Sequence, residues 1–375
     1  MGSRANYSSI KSALSAIENH SELELQLVVG ASAILDRYGI VSDQIEKDGF
    51  TLKAKVFMLL EGETPTTMAK STGIGLMELP TVFDQLKPDI VLTVGDRFET
   101  MATTLAAAYM NIPVAHTMGG EVTGTIDESI RHAVTKFSHI HFPASKDAFE
   151  RIIKLGEERE NIFLVGCPRI DLVAKILNDK SLKPLQSLNE GVGSVINIDK
   201  PFILVSQHPV TTEYGKGEND IRLTLKAVNK IDIPAIVLWP NADAGSEDIS
   251  RGIRKWREEG LDKKMHFYKN LPVSDYIYLM KKTACLIGNS SSGIREGAFI
   301  GTPVVNIGSR QNMRERGKNV IDVKNNEIEI LSALRKQVKH GSYQSEAIYG
   351  NGNAGEKIAS ILNTCSWKIQ KKITY

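Results

Sequence analysis

Short apolar runs alternate with amphipathic stretches nearly from end to end of this chain. Leu23, Leu25, Leu27 and Val29 sit at every second position, the period of a strand. Between Tyr7 and Glu18, Ile10, Leu14 and Ile17 instead recur at three- and four-residue spacing, which predicts a helix with one apolar face. Asp89 to Val94, Ile112 to Ala115 and Ile162 to Val165 are runs that end at Gly, Asp or His, as buried parallel strands do. The stretch 178–200 breaks the pattern: it is polar, holds Pro184, Gly191 and Gly193, and reads as a connection. The rhythm then restarts with strands predicted at Phe202 to Val205, Ala235 to Trp239, Met265 to Tyr268, Ala284 to Ile287 and Val304 to Ile307.

Strands alternating with helices imply βαβ units and parallel sheets. The predicted architecture is therefore α/β, with one βα domain over 1–177, a linker over 178–200 and a second βα domain over 201–353. Ligands of such sheets lie outside the carboxyl ends of the strands, so the loops after the strands carry the candidate chemistry, in a cleft between the two domains. The opening Met1-Gly2-Ser3-Arg4 has the character of a strand-to-helix turn, and a first strand is expected ahead of it that the sequence lacks.

Composition narrows the function classes. The 375 residues carry 46 Lys+Arg against 44 Asp+Glu, a formal charge of +2, which excludes nucleic acid as the main partner. The short basic pairs Lys281-Lys282 and Lys371-Lys372 read as solvated surface. Cys167, Cys285 and Cys365 have neither zinc-finger nor redox spacing, so buried thiols in a reducing compartment are expected. The best apolar run, Met101 to Ala115, stops at His116, short of the roughly 18 residues of a membrane span. With no signal peptide at the N-terminus, a cytoplasmic protein is expected.

Several strand-end loops carry reactive groups. In Gly95-Asp96-Arg97, the carboxylate is either an acid/base group beside an anion-binding guanidinium or half of an ion pair opening the next helix. His116-Thr117-Met118-Gly119-Gly120-Glu121 leads to Asp127, which reads as a helix N-cap or a catalyst, with Arg131 one helical turn further on. His139 and His141 flank Ile140 on one face of a strand and, with no third ligand, read as core or edge histidines. His208, in Gln207-His208-Pro209, ends a strand before a stiff turn and suits phosphate binding or proton transfer. Pro240 to Ser246 occupies the equivalent place after the next strand and reads equally as a simple turn.

The strongest local signal is Gly288-Asn289-Ser290-Ser291-Ser292-Gly293-Ile294-Arg295-Glu296, a strand end that opens a helix and offers backbone N–H groups and hydroxyls to an anion. Its spacing is neither a serine-hydrolase elbow nor a P-loop. Glu296 is placed to accept ribose hydroxyls, and Arg310, in Gly308-Ser309-Arg310-Gln311, supplies a guanidinium for phosphate.

Taken in order from Gly2 to about Gly352, these motifs resemble the hydrolysing UDP-N-acetylglucosamine 2-epimerases. The resemblance implies a glycosyltransferase-B-like fold of two Rossmann-like domains, with UDP in the inter-domain cleft and a C-terminal helix over 354–375 crossing back to the first domain. It places Arg4, Ser8, Arg97, His208, Asn241, Ser290, Ser291, Glu296 and Arg310 at UDP-binding positions, and Asp96, Asp127, Arg131 and His208 at positions tied to the chemistry. It implies neither cofactor nor metal, a UDP-sugar as partner, and a homodimer or homotetramer. The family reaction eliminates UDP across C1–C2 and hydrates the resulting glycal to N-acetylmannosamine. Where family members often carry a catalytic Glu, this chain has Met118, which leaves Glu121 or Asp127 to move the proton. Bacterial relatives similar in this loop act on UDP-N,N′-diacetylbacillosamine, the alternative substrate. A glycosyltransferase of the same fold and a non-catalytic UDP-sugar binder are the remaining classes.

Overall fold

In the first half of the chain Ser3, Thr64 and Ser145 cap three of the helices with their side chains, and strands such as Val91–Val94 are short apolar runs. The structure, a computed structural model, describes all residues except 36–40, 63, 124–125, 180–189, 211–212, 214, 241–244, 270 and 375, and the side chains of Arg4 and Ala5. Two units result, the first formed by 1–121, 126–172 and 349–375, the second by 122–125 and 173–348.

The first unit runs α1 (Arg4–Glu18), β1 (Leu27–Gly30), α2 (Val41–Lys47), β2 (Leu52–Val56), α3 (Pro65–Leu86), β3 (Val91–Val94), α4 (Phe98–Tyr109), β4 (Val114–Thr117), α5 (Ile126–Phe137), β5 (Ile140–Phe142) and α6 (Lys146–Lys154), with α7 (Pro168–Asn178) leading out of it. β1 and β2 form one parallel pair, and β3-β4-β5 form a separate parallel sheet in which His116 lies between Thr93 and His141. Met1 flanks β1: its amino group donates to Val28 O at 2.6 Å, and Gly30 N–H donates to Met1 O at 2.9 Å. That is the bond pattern of a parallel bridge, and Ser3 then caps α1.

The second unit runs β6 (Val192–Gly193), β7 (Ile203–Ser206), α8 (Gly217–Asn229), β8 (Ala235–Leu238), α9 (Ser246–Glu258), β9 (Met265–Tyr268), α10 (Val273–Lys282), β10 (Cys285–Gly288), α11 (Ser291–Ile300), β11 (Val304–Ile307), β12 (Val320–Val323) and α12 (Glu327–His340). The final helix, α13 (Ala354–Thr364), belongs to the first unit. There the Asp171 carboxylate accepts from Ser12 Oγ at 2.8 Å, Ala354 N–H at 3.0 Å and Gly355 N–H at 2.7 Å, tying α1, α7 and α13 together. Gly355 allows the close approach, since a Cβ there would lie 2.6 Å from the Ser12 backbone.

The seven strands of the second unit are ordered β12-β11-β10-β7-β8-β9-β6, all parallel except β6 against β9. Successive residues of β7 enter opposite cores. Ile203 and Val205 pack with Leu225, Ile253 and Trp256, while Phe202 and Leu204 pack with Ile277 and Met280. Burial on both faces explains why the strands read as unbroken apolar runs. Each fully buried aliphatic side chain contributes about 1.5–3 kcal/mol. Strand order reverses between β7 and β10, so the loops after these two strands flank the place where a doubly wound sheet binds its ligand.

Some expectations are corrected. β1 begins at Leu27, and Leu23 and Leu25 lie outside it. The run at 162–165 makes only a single bridge, His141 to Ile162. The connection at 178–200 contains β6 and buried Ile196. β2 and β12 were not predicted: β2 exposes Lys53 and Lys55, so it lacks an apolar run. Among the described residues no helix is long and apolar enough to cross a membrane.

Candidate functional site

In the first unit the polar groups converge where β3 and β4 end. Gly95 has φ of +72°, which turns the chain sharply after β3 and presents Asp96 and Arg97 ahead of α4. The Asp96 carboxylate is paired with the Arg131 guanidinium of α5, and Arg131 also donates to Glu121 O at 2.8 Å. Arg131 is only 1% exposed, whereas Asp96 keeps a quarter of its side chain accessible. A buried guanidinium thus holds the loop after β3 and the loop after β4 against one helix. The sequence placed Asp96 beside Arg97, but Arg97 turns away and its Nε donates to Glu99 Oε1 at 2.9 Å.

His116 sits beneath this arrangement, fully buried, with Nε2 bonded to Gly95 O at 2.8 Å and Nδ1 3.4 Å from Thr135 Oγ1. Burial pushes its pKa down to about 4, so the ring is neutral at pH 7 and its Nε2–H supports the Gly95 turn. Met118 follows in the left-handed region at φ +63°, buried, with its N–H on Phe142 O at 3.0 Å. The Gly119-Gly120 pair that comes next leaves no room for side chains: a Cβ on Gly119 would lie 2.8 Å from His116 Nδ1, and one on Gly120 2.3 Å from Ala148 O. Glu121 is buried at the end of this loop.

Asp127 is half-buried in the first turn of α5, one residue inside the helix, so the N-cap reading is corrected. Arg131 follows it by one turn, as the spacing predicted. Ser8 is half-buried on α1; the Arg4 side chain lies outside the described residues. His139 precedes β5 and His141 lies within it; both are buried, consistent with core positions.

The second unit assembles a different set. Gly288 adopts φ +137° with its Cα packed against β7; a Cβ would come 2.1 Å from Ser206 O. Asn289 then reaches across to the neighbouring loop, accepting from His208 N–H at 2.7 Å and donating to His208 O at 2.8 Å. Ser290 caps α11, and its Oγ lies 2.8 Å from Ser292 Oγ, which in turn meets the Tyr276 hydroxyl at 2.5 Å. Burial raises the Tyr276 pKa, keeping the phenol protonated and able to donate. Ser291, in the first turn, is partly accessible, and Glu296 is buried further along the same helix.

Arg310 follows β11 and donates to Asn289 O at 3.1 Å, and Gln311 donates to the same carbonyl at 3.0 Å. His208, Ser290, Ser291 and Arg310 therefore belong to one network of three strand-end loops around the N-terminus of α11. Such a terminus, with an adjacent guanidinium, offers partial and full positive charge to an anion. Asn241 lies outside the described residues. The sequence did not mark Tyr276 or the clamp made by Asn289. A polar amide directly after a buried strand was the available signal for the latter.

Residues 15–363 match the family model described as UDP-N-acetylglucosamine 2-epimerase. The chain is 33% identical over 363 residues to a UDP-N,N′-diacetylbacillosamine 2-epimerase (hydrolyzing) of Legionella pneumophila, covering 97% of this chain and 94% of the relative. It is 29% identical over 365 residues to a UDP-N-acetylglucosamine 2-epimerase of Neisseria meningitidis serogroup B, covering 96% and 93%. The crystal structure of UDP-GlcNAc 2-epimerase from Neisseria meningitidis bound to UDP-GlcNAc superposes with a TM-score of 0.82 at 18% identity, covering 96% of this chain and 97% of that one. That likeness shows the fold, two Rossmann-like units of the glycosyltransferase-B-like class, and the extent of the sequence match decides the rest: the chain belongs to the UDP-N-acetylglucosamine 2-epimerase family.

Proposed function

We propose that this protein is a hydrolysing 2-epimerase that converts UDP-N-acetylglucosamine to N-acetylmannosamine and UDP. The observation that carries the reading is the Asp96–Arg131 pair at the end of a parallel strand. Burying the Arg131 guanidinium is costly, and a buried charge paired with a partly accessible carboxylate at a strand's carboxyl end is better explained by chemistry than by stability.

In the first step a carboxylate, Glu121 or Asp127, takes the C2 proton while the C1–O bond breaks and UDP departs with the bonding electrons. The α11 N-terminus and Arg310 offset the charge that grows on the diphosphate. Water then adds its hydroxyl to C1 of the glycal, and C2 takes a proton on the opposite face. Asp96, oriented by Arg131, and His208 are the groups assigned to that hydration. Ser290 and Ser291 hold phosphate oxygens, Glu296 accepts the ribose hydroxyls, and Arg4, Ser8, Arg97 and Asn241 complete the nucleotide contacts.

A second reading keeps the reaction and changes the sugar to UDP-N,N′-diacetylbacillosamine. Met118, a thioether in the loop after β4, and the name of the Legionella pneumophila relative favour it. Incubating the protein in D₂O with each UDP-sugar and reading the released sugar by NMR tests both. Deuterium at an inverted C2 supports elimination and hydration, and the faster substrate identifies the sugar. Released sugar with protium at C2 and unchanged configuration would instead mark simple hydrolysis and overturn the proposal.

A further inference from the structure

The last ten described residues of the chain return to the helix that carries Asp127 and Arg131. After α13, Ile369 O meets His139 Nε2 at 3.1 Å, and Thr374 N–H donates to Gly156 O at 3.0 Å. His139 Nδ1 accepts from Val114 N–H at 3.2 Å, so its proton lies on Nε2, and the ring links the start of β4 to the tail. Gly156 makes the docking possible: a Cβ there would come 2.7 Å from Ile373 and 2.8 Å from Thr374 O.

Lys371 is the centre of this contact. Its ammonium donates to Lys136 O at 2.8 Å and to Ser138 O, with Thr135 O at 3.5 Å, and it pairs with Glu157 Oε2 at 2.7 Å. The three carbonyls lie where the helix stops at Phe137, at the negative end of its dipole, and Thr135 O also accepts from Ser138 N–H at 3.1 Å. Glu157 is held from three sides, by Lys371, by Lys136 at 2.5 Å and by His141 Nε2 at 3.0 Å. These contacts hold its carboxyl down to about 2 despite burial, so the anion facing Lys371 is permanent. The sequence read Lys371 as solvated, but its side chain is 24% exposed and fully engaged.

α5 has twelve residues, so its two ends are rigidly coupled across about 18 Å. Arg131 grips Asp96 and Glu121 O from its middle, and Thr135, one turn on, bonds Arg131 O at 3.0 Å and approaches His116. We infer that Lys371 is a positioning residue for the reaction: by closing the C-terminal end of α5 it sets the axial placement from which Arg131 meets Asp96. This rests on the assignment of Asp96 and Arg131 to the chemistry proposed above.

The test uses the full chain with Lys371→Met, which keeps the stem and removes the donors. Hydrogen exchange of the amides at 133–138 should quicken while α1 and the second unit are unchanged. On the UDP-sugar substrate kcat should fall about 10–100-fold, as expected when reacting groups are slightly misplaced, with KM and UDP affinity unaltered. Lys371→Arg, which restores charge and donors, should recover most of both effects. Unchanged exchange at 133–138 would overturn the clamp. Faster exchange with wild-type kcat would overturn the positioning role, as would equal losses in kcat and UDP affinity. A wild-type protein inert toward every UDP-sugar would refute the proposed function, and exchange at 133–138 would still decide the clamp.

Discussion

Asn289 closes a two-bond ring on the backbone of His208, accepting from its N–H at 2.7 Å and donating to its carbonyl at 2.8 Å. The carbonyl of Asn289 in turn receives Arg310 and Gln311. One residue thus ties together the loops after β7, β10 and β11, its side chain to the first and its backbone carbonyl to the last, and each loop carries a residue assigned to UDP or to the chemistry.

Asn289→Ala should therefore weaken both folding and nucleotide binding. It strands a buried N–H and a buried carbonyl, at a cost of about 1–3 kcal/mol each. Urea denaturation of the purified variant measures the first effect, and calorimetry with UDP the second. Wild-type UDP affinity in a folded variant would show that the clamp does not organise the nucleotide loops.

Arg310→Ala isolates the charge from the loop geometry, because Gln311 remains to hold Asn289 O. Losing a guanidinium contact to a desolvated phosphate costs about 2–5 kcal/mol. UDP titration should show that loss, with unfolding little changed. Uridine, which has no phosphate, should bind both proteins alike.

In the first unit, Asp96→Asn preserves shape while removing the charge opposite Arg131. Turnover should fall by about 10²–10⁴, the usual loss when a proton-transfer group is removed, while UDP affinity holds. The same measurement on Glu121→Gln and Asp127→Asn assigns the base that takes the C2 proton. Near-normal rates in both would remove the pair from that role.

Stability should fall in mild acid, and His116 sets the first window. Its folded pKa, about 4, lies below the ordinary value of 6.5, so between these pH values the unfolded chain binds the extra proton. The contribution is complete above pH 6.5 and fades as pH drops to 4, amounting to about 3 kcal/mol in all. Glu157, held at about 2 against an ordinary 4.5, has the same sign and acts in the next window, from pH 4.5 down to 2. Urea midpoints at pH 7.5, 5.5 and 4.5 should decline for the wild type. His116→Gln, which does not titrate there, should flatten the upper part of that decline.

The strand ends were legible because a buried parallel strand is an apolar run on both faces, and it stops where a Gly or a polar residue begins. Met265–Tyr268 and Val304–Ile307 match residue for residue. Edge strands carry no such signal: Lys53 and Lys55 of β2 face outward and break the run. The candidate loops could be found from local motifs, but their pairings could not. Asp96 and Arg131 are 35 positions apart, and Asp96 had a nearer guanidinium in Arg97. Lys371 meets α5 across more than 230 positions, a distance over which neither periodicity nor composition carries information.

The Asp171 carboxylate has a consequence for the order of events during synthesis. Its partners are Ser12 near one end of the sequence and Ala354 and Gly355 near the other, so residues 173–348 of the second unit interrupt the first. A ribosome delivers residues 173–348 before the helix that completes the earlier unit exists. The main segment of the second unit is therefore complete before the first unit is. Until α13 emerges, α1 lacks the cover that this helix later lays over the face around Ser12.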